Sequence, residues 1–361
     1  MPPFFIGGNM SIYIDVADYD DDNYPYQAFV GGRGDGKTYS ALRMCVEHWT
    51  HNQDKFVFMR RTDKELKRLM DSRIRGEAMN PFKSLNSDYN WSYGIVPYAD
   101  NVGLISEREA GENGKMVACG DDIGYAVSLS MVAGLRGIDL TDCSMMIYDE
   151  FIAERHVRKM SGEGEAILNA IETIGRNREL RGEKPLKCFF LANAFDIYNP
   201  FFVELGVVDK VEKMINRGQH DYYDRSRGLA IHLLENSAEF NEMKSQTAIM
   251  KLTKGSRYYD MALNNDFVYN DFSLIGWRNV KGYRPVIAIG DVYIWSKKGQ
   301  SYYYATYTPG RCQTLNGDNL RDCKYFFVKY GNLLREAFIR GNVHFETYDI
   351  KQQMLDYLRI K

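Results

Sequence analysis

The segment that most constrains this chain is Gly31-Gly32-Arg33-Gly34-Asp35-Gly36-Lys37-Thr38. It fits the pattern G-x-x-x-x-G-K-[ST], and its flanks suit that pattern. Before it runs Gln27-Ala28-Phe29-Val30, which reads as a buried strand. After it, Leu42, Cys45, Val46 and Trp49 recur at helical spacing. A strand, a glycine turn and a helix in that order make a phosphate cradle. Glycines let successive N–H groups point at one phosphate, and the helix N-terminus adds the positive end of its dipole. On this reading residues 31–38 and Tyr39 surround a nucleotide. Lys37 reaches the β- and γ-phosphates, and the Thr38 hydroxyl ligates Mg²⁺. The expected cofactors are ATP and Mg²⁺.

Such a loop needs an acidic partner at the end of a buried strand. Residues 144–150, Ser-Met-Met-Ile-Tyr-Asp-Glu, supply one. Asp149 is placed to hold the Mg²⁺ and Glu150 to polarise an attacking water. Consecutive Asp-Glu suits an enzyme that hydrolyses and cycles more than a kinase. Further strands are expected over 55–59 and 187–191, with helices over 62–70, opened by a Thr or Asp cap, and 165–174. Strands alternating with helices predict an α/β fold with a mainly parallel sheet.

Basic residues near these elements have two readings each. Arg176, in Gly175-Arg176-Asn177-Arg178, is either a finger reaching a neighbour's γ-phosphate or a cation decorating a helix C-terminus. Spacing alone favours the second. Arg60-Arg61, after the second strand, faces the same choice. Asn193, ending the 187–193 run, is either a γ-phosphate sensor or a turn residue. The loop after Glu150 carries Arg155, Arg158 and Lys159, which either grip a phosphate backbone or form a solvated basic loop.

Length and charge divide the chain. Its 361 residues suit two or three domains. Residues 267–361 hold 14 Lys and Arg against 8 Asp and Glu, a net of +6. The whole chain is −2, so residues 1–266 carry −8. A basic module behind an acidic body suggests a polyanionic partner. The expected division is 1–236 for the nucleotide-binding domain, 237–266 for a polar helical bridge and 267–361 for a small α+β domain with a hairpin turning at Gly290-Asp291. No apolar run approaches the ~20 residues a bilayer span requires, so no membrane partner is expected. Six cysteines without a C-x-x-C pair argue against a zinc site or a disulfide framework and for a reducing compartment.

Taken together, residues 29–42 and 56–66, then MMIYDEFI, TIGRNREL and LANAFDIYNPFF, resemble the DNA encapsidation ATPases of small podoviruses with protein-primed linear genomes. The resemblance covers most of residues 27–205 and is looser beyond. It implies an additional-strand P-loop ATPase domain, a linker, and a C-terminal domain resembling an RNase H-like nuclease without its catalytic acids. It implies a homomeric ring, a pentamer, docked on the portal (connector) protein of a prohead in the host cytoplasm, with double-stranded DNA as track and in some members a packaging RNA. By that resemblance Lys37, Glu150 and Arg176 are catalytic, Arg176 acting in trans, and Arg155, Arg158 and Lys159 touch DNA. Relatives can carry a trans-acting lysine after the double arginine. Here Arg60-Arg61 is followed by Thr62-Asp63 and then Lys64, so all three cations stay open for that role. Two other readings compete. One is a terminase-like enzyme with an active nuclease, for which Asp266, Asp271 and Asp291 would be the acids. The other is a non-enzymatic capsid or RNA-binding subunit with a degenerate loop.

Overall fold

The computed structural model describes residues 12–360 apart from 71–77, 100, 113, 132–133, 135–137, 154–159, 161, 194–195, 257, 260–262, 264–270, 298 and 300. The chain divides into two compact units. The larger takes in the described residues of Met1–Glu204 and Met214–Tyr269, the smaller those of Leu205–Lys213 and Asn270–Lys361.

In the larger unit the elements follow as β1 (Tyr26–Gly31), α1 (Lys37–Asn52), β2 (Lys55–Arg60), α2 (Asp63–Leu69), α3 (Lys83–Tyr89), β3 (Tyr93–Ala99), β4 (Val102–Ala110) and β5 (Met116–Ser128). Then come β6 (Cys143–Asp149), α4 (Glu163–Gly175), β7 (Lys187–Asn193) and α5 (Pro200–Glu204). Helix α6 (Val208–Arg217), whose residues up to Lys213 belong to the smaller unit, leads to β8 (Asp221–Asp224), β9 (Leu229–Leu233), α7 (Ala238–Ser245) and α8 (Ala248–Thr253).

The nine strands form one sheet in the order β3-β4-β5-β2-β6-β7-β1-β9-β8. Strands β5, β2, β6, β7, β1 and β9 are parallel to their neighbours in that run. β3 and β4 pair antiparallel at one edge and β8 at the other. Strands flanked on both faces bury their central side chains, which is why β6 and β7 carry the apolar runs Met145–Tyr148 and Cys188–Ala192, and β1 the run Ala28–Val30 after the buried Gln27. Phe29, Phe58, Ile147 and Phe189 share one core with Leu42 and Val46 of α1. Thr62 and Glu65 close a reciprocal capping box that starts α2.

The smaller unit carries β10 (Tyr283–Ile289), β11 (Val292–Lys297), β12 (Tyr303–Thr306), β13 (Thr314–Leu315), α9 (Leu320–Ile339), β14 (Val343–Phe345) and α10 (Tyr348–Tyr357). Its sheet order is β13-β10-β11-β12-β14. The β10–β11 hairpin turns at Gly290-Asp291, as its sequence predicts. Ile287, Ile294, Phe326, Phe345 and Ile350 fill its core. All six cysteines of the chain are free thiols. Among the described residues no helix is long and apolar enough to cross a membrane.

Candidate nucleotide site

In a parallel sheet the strand ends that point the same way gather the loops that follow them, and here they gather the site. β1 ends at Gly31, where the glycine loop begins, and α1 starts at Lys37. Asn193, the last residue of β7, lies in register beside Gly31, and Leu191 beside Asp149. The loop is tightly fitted. A Cβ on Gly31 would sit 2.7 Å from Asp35 Oδ2. Gly36 has φ +98°, and a Cβ there would meet Tyr13 Cβ at 3.1 Å and the Ile14 carbonyl at 3.2 Å. Only glycine combines that backbone with that space.

Charges inside the site are paired. Lys37 Nζ donates to the Gly32 carbonyl at 2.7 Å and to both Asp35 oxygens at 2.8 Å, with Lys37 and Asp35 both buried. The Thr38 hydroxyl donates to Asp149 Oδ1 at 3.1 Å. Arg60, at the tip of β2, donates to Asp149 Oδ2 at 2.6 Å and to Glu150 Oε2 at 2.5 Å. Lys244, from α7, donates to the Arg33 carbonyl at 2.5 Å and lies 5.1 Å from the Phe240 ring. Burial and the Lys37 charge pull the proton affinity of Lys244 down, while Asp35 pulls it up. Lys37, Arg60 and Lys244 thus stand against Asp35, Asp149 and Glu150.

Thr38 and Asp149 present two hard oxygen donors at hydrogen-bond distance from each other, a set that suits Mg²⁺. Lys37 and the α1 N-terminus suit phosphates. Tyr39 donates its phenol hydroxyl to Asp88 of α3 at 2.8 Å. Arg33 and Gly34 are exposed.

The two arginines after β2 part company. Arg60 joins the acids, whereas Arg61 is buried in a bidentate pair with Glu163 at 2.6 and 2.8 Å. Lys64 is exposed on α2. Arg176 is not brought to the site of its own chain. α4 leaves the loop end of β6 and runs back about 20 Å at 1.5 Å per residue. Arg176 caps it near the starting ends of the central strands, opposite the loop, donating to the Ile138 carbonyl at 2.6 Å. Arg178 is buried there, bonded to the carbonyls of Thr141, Cys143 and Lys184. Arg155, Arg158 and Lys159 lie outside the described residues.

Arg60 is the sharpest outcome, since the dipeptide offered no way to tell it from Arg61. Lys244, Phe240 and Tyr13 carried no motif at all. Phe240 packs edge-on against Tyr13 at 5.5 Å, and Tyr13 packs on Gly36. Both rings lie beside the loop. Tyr24, just before β1, and Tyr26, its first residue, stand a full strand away from the loop.

Fold and loop define an α/β protein with a large, mainly parallel sheet and a glycine-rich turn between β1 and α1. Comparison with known proteins narrows this. The family described as podovirus DNA encapsidation protein (Gp16) matches residues 104–360. The chain is 24% identical to the DNA packaging protein of Bacillus phage phi29 over 344 residues, 91% of this chain and 92% of that protein. It is 25% identical to the DNA packaging protein of Bacillus phage B103 over 334 residues, 88% and 91% of the two. In fold it resembles a chain of the bacteriophage Phi-29 viral genome packaging motor assembly, with TM-score 0.65, 19% identity and coverage of 97% and 99%. It also resembles the Phi-28 gp11 DNA packaging motor, with TM-score 0.60, 18% identity and 96% of each chain covered. The chain belongs to the podovirus DNA encapsidation protein family.

Proposed function

We propose that this chain is the ATP-hydrolysing subunit of a motor that drives double-stranded DNA into a viral prohead. The observation that carries the reading is the bond from Thr38 to Asp149, with Lys37 beside Thr38 on the loop after β1 and Glu150 next to Asp149 after β6, in a chain of this family. β7 stands between β1 and β6, which supports the additional-strand type of P-loop domain.

In this proposal the loop N–H groups and Lys37 hold the phosphates, and Thr38 with Asp149 holds Mg²⁺. The metal, when bound, neutralises charge on the β- and γ-phosphates. Glu150 accepts the proton of the attacking water, and Asn193, in register beside Gly31, reads the γ-phosphate. Lys37 has to exchange Asp35 for phosphate, and Arg60 has to release the two acids before they work. Lys244 adds a third cation from α7. Arg176 stands too far from its own loop to act there, so its role as a finger is in a neighbour's site and requires a ring. A ring of five, docking on a portal protein, contact with a packaging RNA, a DNA grip by Arg155, Arg158 and Lys159, and the division at residues 236 and 266 belong to the same proposal. No observation favours the nuclease alternative. Asp271 is bound by Lys351 Nζ at 2.8 Å, Asp291 sits in the hairpin turn, and Asp266 lies outside the described residues. Among the described residues no group of three His, Cys, Asp or Glu side chains can hold a metal.

The test is steady-state ATP hydrolysis with and without long double-stranded DNA, beside Lys37→Ala. Stimulation by DNA that vanishes in the variant is the expected result. Hydrolysis that persists in Lys37→Ala would remove the loop from the reaction.

A further inference from the structure

A second concavity lies where β1 starts, a strand's length from the glycine loop. This cleft of about 610 Å³ is lined by Tyr19, Tyr24, Gln27, Lys187, Tyr223 and His232, beneath the acidic run at residues 18–22. None of these side chains has a part in the nucleotide site.

Four rings follow one another along its wall. Tyr24 lies 5.0 Å from Tyr223, Tyr223 5.8 Å from His232, and His232 4.7 Å from Tyr19. The rim is acidic. Asp20 and Asp22 pair with Lys187 at 2.6 and 2.7 Å, and Lys184 joins Asp22 at 2.6 Å. Asp18 and Asp21 have no ion-pair partner among the described residues, although Asp21 accepts from Asn23. The floor carries two buried polar side chains. Gln27 is 1% exposed and His232 2%. Gln27 Oε1 and His232 Nε2 have no hydrogen-bond partner among the described residues. His232 Nδ1 lies 2.7 Å from an Asp221 oxygen and donates to it, since a carboxylate only accepts. Burial disfavours the imidazolium, so Nε2 keeps its lone pair.

Every unmatched feature of the cleft asks for the same complement. Buried acceptors need N–H donors, carboxylates need positive charge, and ring faces attract cations. An anion would meet the acidic rim. A purely apolar ligand would leave both acceptors unmet. A metal would need a donor cluster that the described residues do not form.

We propose that this cleft binds an organic cation bearing a primary ammonium or guanidinium group. That group comes either from a free aliphatic amine or from a lysine or arginine side chain of a second copy of this chain. Calorimetric titration of the full chain with agmatine and with spermidine at 0.15 M salt tests it. Tyr223→Ala removes a half-exposed ring without opening the core, and Gln27→Met removes one floor acceptor at nearly constant volume. The expected result is saturable one-to-one binding, weakened at least tenfold in each variant, with the Tyr223→Ala melting temperature unchanged. Sedimentation with saturating agmatine separates the sources. Loss of self-association, reproduced by Tyr223→Ala, supports the second copy; unchanged self-association supports the free amine. Absence of saturable binding, or salt-sensitive binding equal in wild type and both variants, overturns the proposal.

Discussion

Asp149 and Glu150 are consecutive, yet the backbone treats them differently. Asp149 completes β6 and is buried beside Thr38. Glu150 leaves the strand at φ +60°, a left-handed conformation that costs a non-glycine residue roughly 1–2 kcal/mol. That turn presents its carboxylate to Arg60. If Glu150 is the base, Glu150→Gln keeps nucleotide affinity and lowers turnover by about 10²–10⁴. Phosphate release measured beside a fluorescent-nucleotide titration checks this; unaltered turnover would reassign the proton. Arg61 calls for a different measurement. Its partner Glu163 is as buried as it is, and Glu163 also accepts from the Met160 N–H. Arg61→Met strands that carboxylate and is expected to cost about 3–5 kcal/mol in urea unfolding. A loss under 1 kcal/mol would mean that water reaches Glu163. Both the loop and the acids were legible because their spacing is the chemistry. Arg60 and Arg61 were not, because adjacent arginines differ only in what tertiary neighbour each finds.

At the scale of elements, the inner strands were readable because burial on two faces forces continuous apolar runs, as in β2 with Phe56-Val57-Phe58-Met59. β3, β4 and β5 escaped for the opposite reason. They form an antiparallel edge, and β5 carries Ala118-Cys119-Gly120-Asp121 exposed to solvent. Such a strand shows neither a long apolar run nor clean alternation. α7 was visible only as part of a polar bridge. Its place beside the loop depends on Ser237, which caps the helix and donates to the Ile12 carbonyl, and on Lys244. If Lys244 serves bound phosphates, Lys244→Met removes a charge-assisted hydrogen bond of about 1.5–3 kcal/mol, roughly ten- to hundredfold in affinity for ATP. Lys251→Met, on the exposed face of α8, is the matched control and is expected to bind normally. Equal affinities in the two variants would confine Lys244 to holding α7 in place.

The whole molecule poses the question that a single chain leaves open in its own geometry. A loop at one end of the sheet and Arg176 at the other cannot complete one site within one copy. Sequence spacing left Arg176 as a plain helix-end cation, and only the path of α4 makes the separation visible. Copies joined head to tail would bring the end of one chain's sheet that carries Arg176 to the next chain's loop, an arrangement that closes into a ring when the rotation permits. Mixed assemblies test this directly. Lys37→Ala and Arg176→Ala are each expected to be inactive alone, the first without nucleotide affinity and the second with it intact. Mixing the two creates interfaces in which an intact loop faces an intact Arg176, so hydrolysis should return to a fraction set by the mixing ratio. A finger in a well-positioned site is worth about 10³–10⁵ in rate, so even a small share of such interfaces is measurable. Mixtures no more active than their components would place Arg176 with Arg178, as a residue that fastens the end of α4 to the chain before β6.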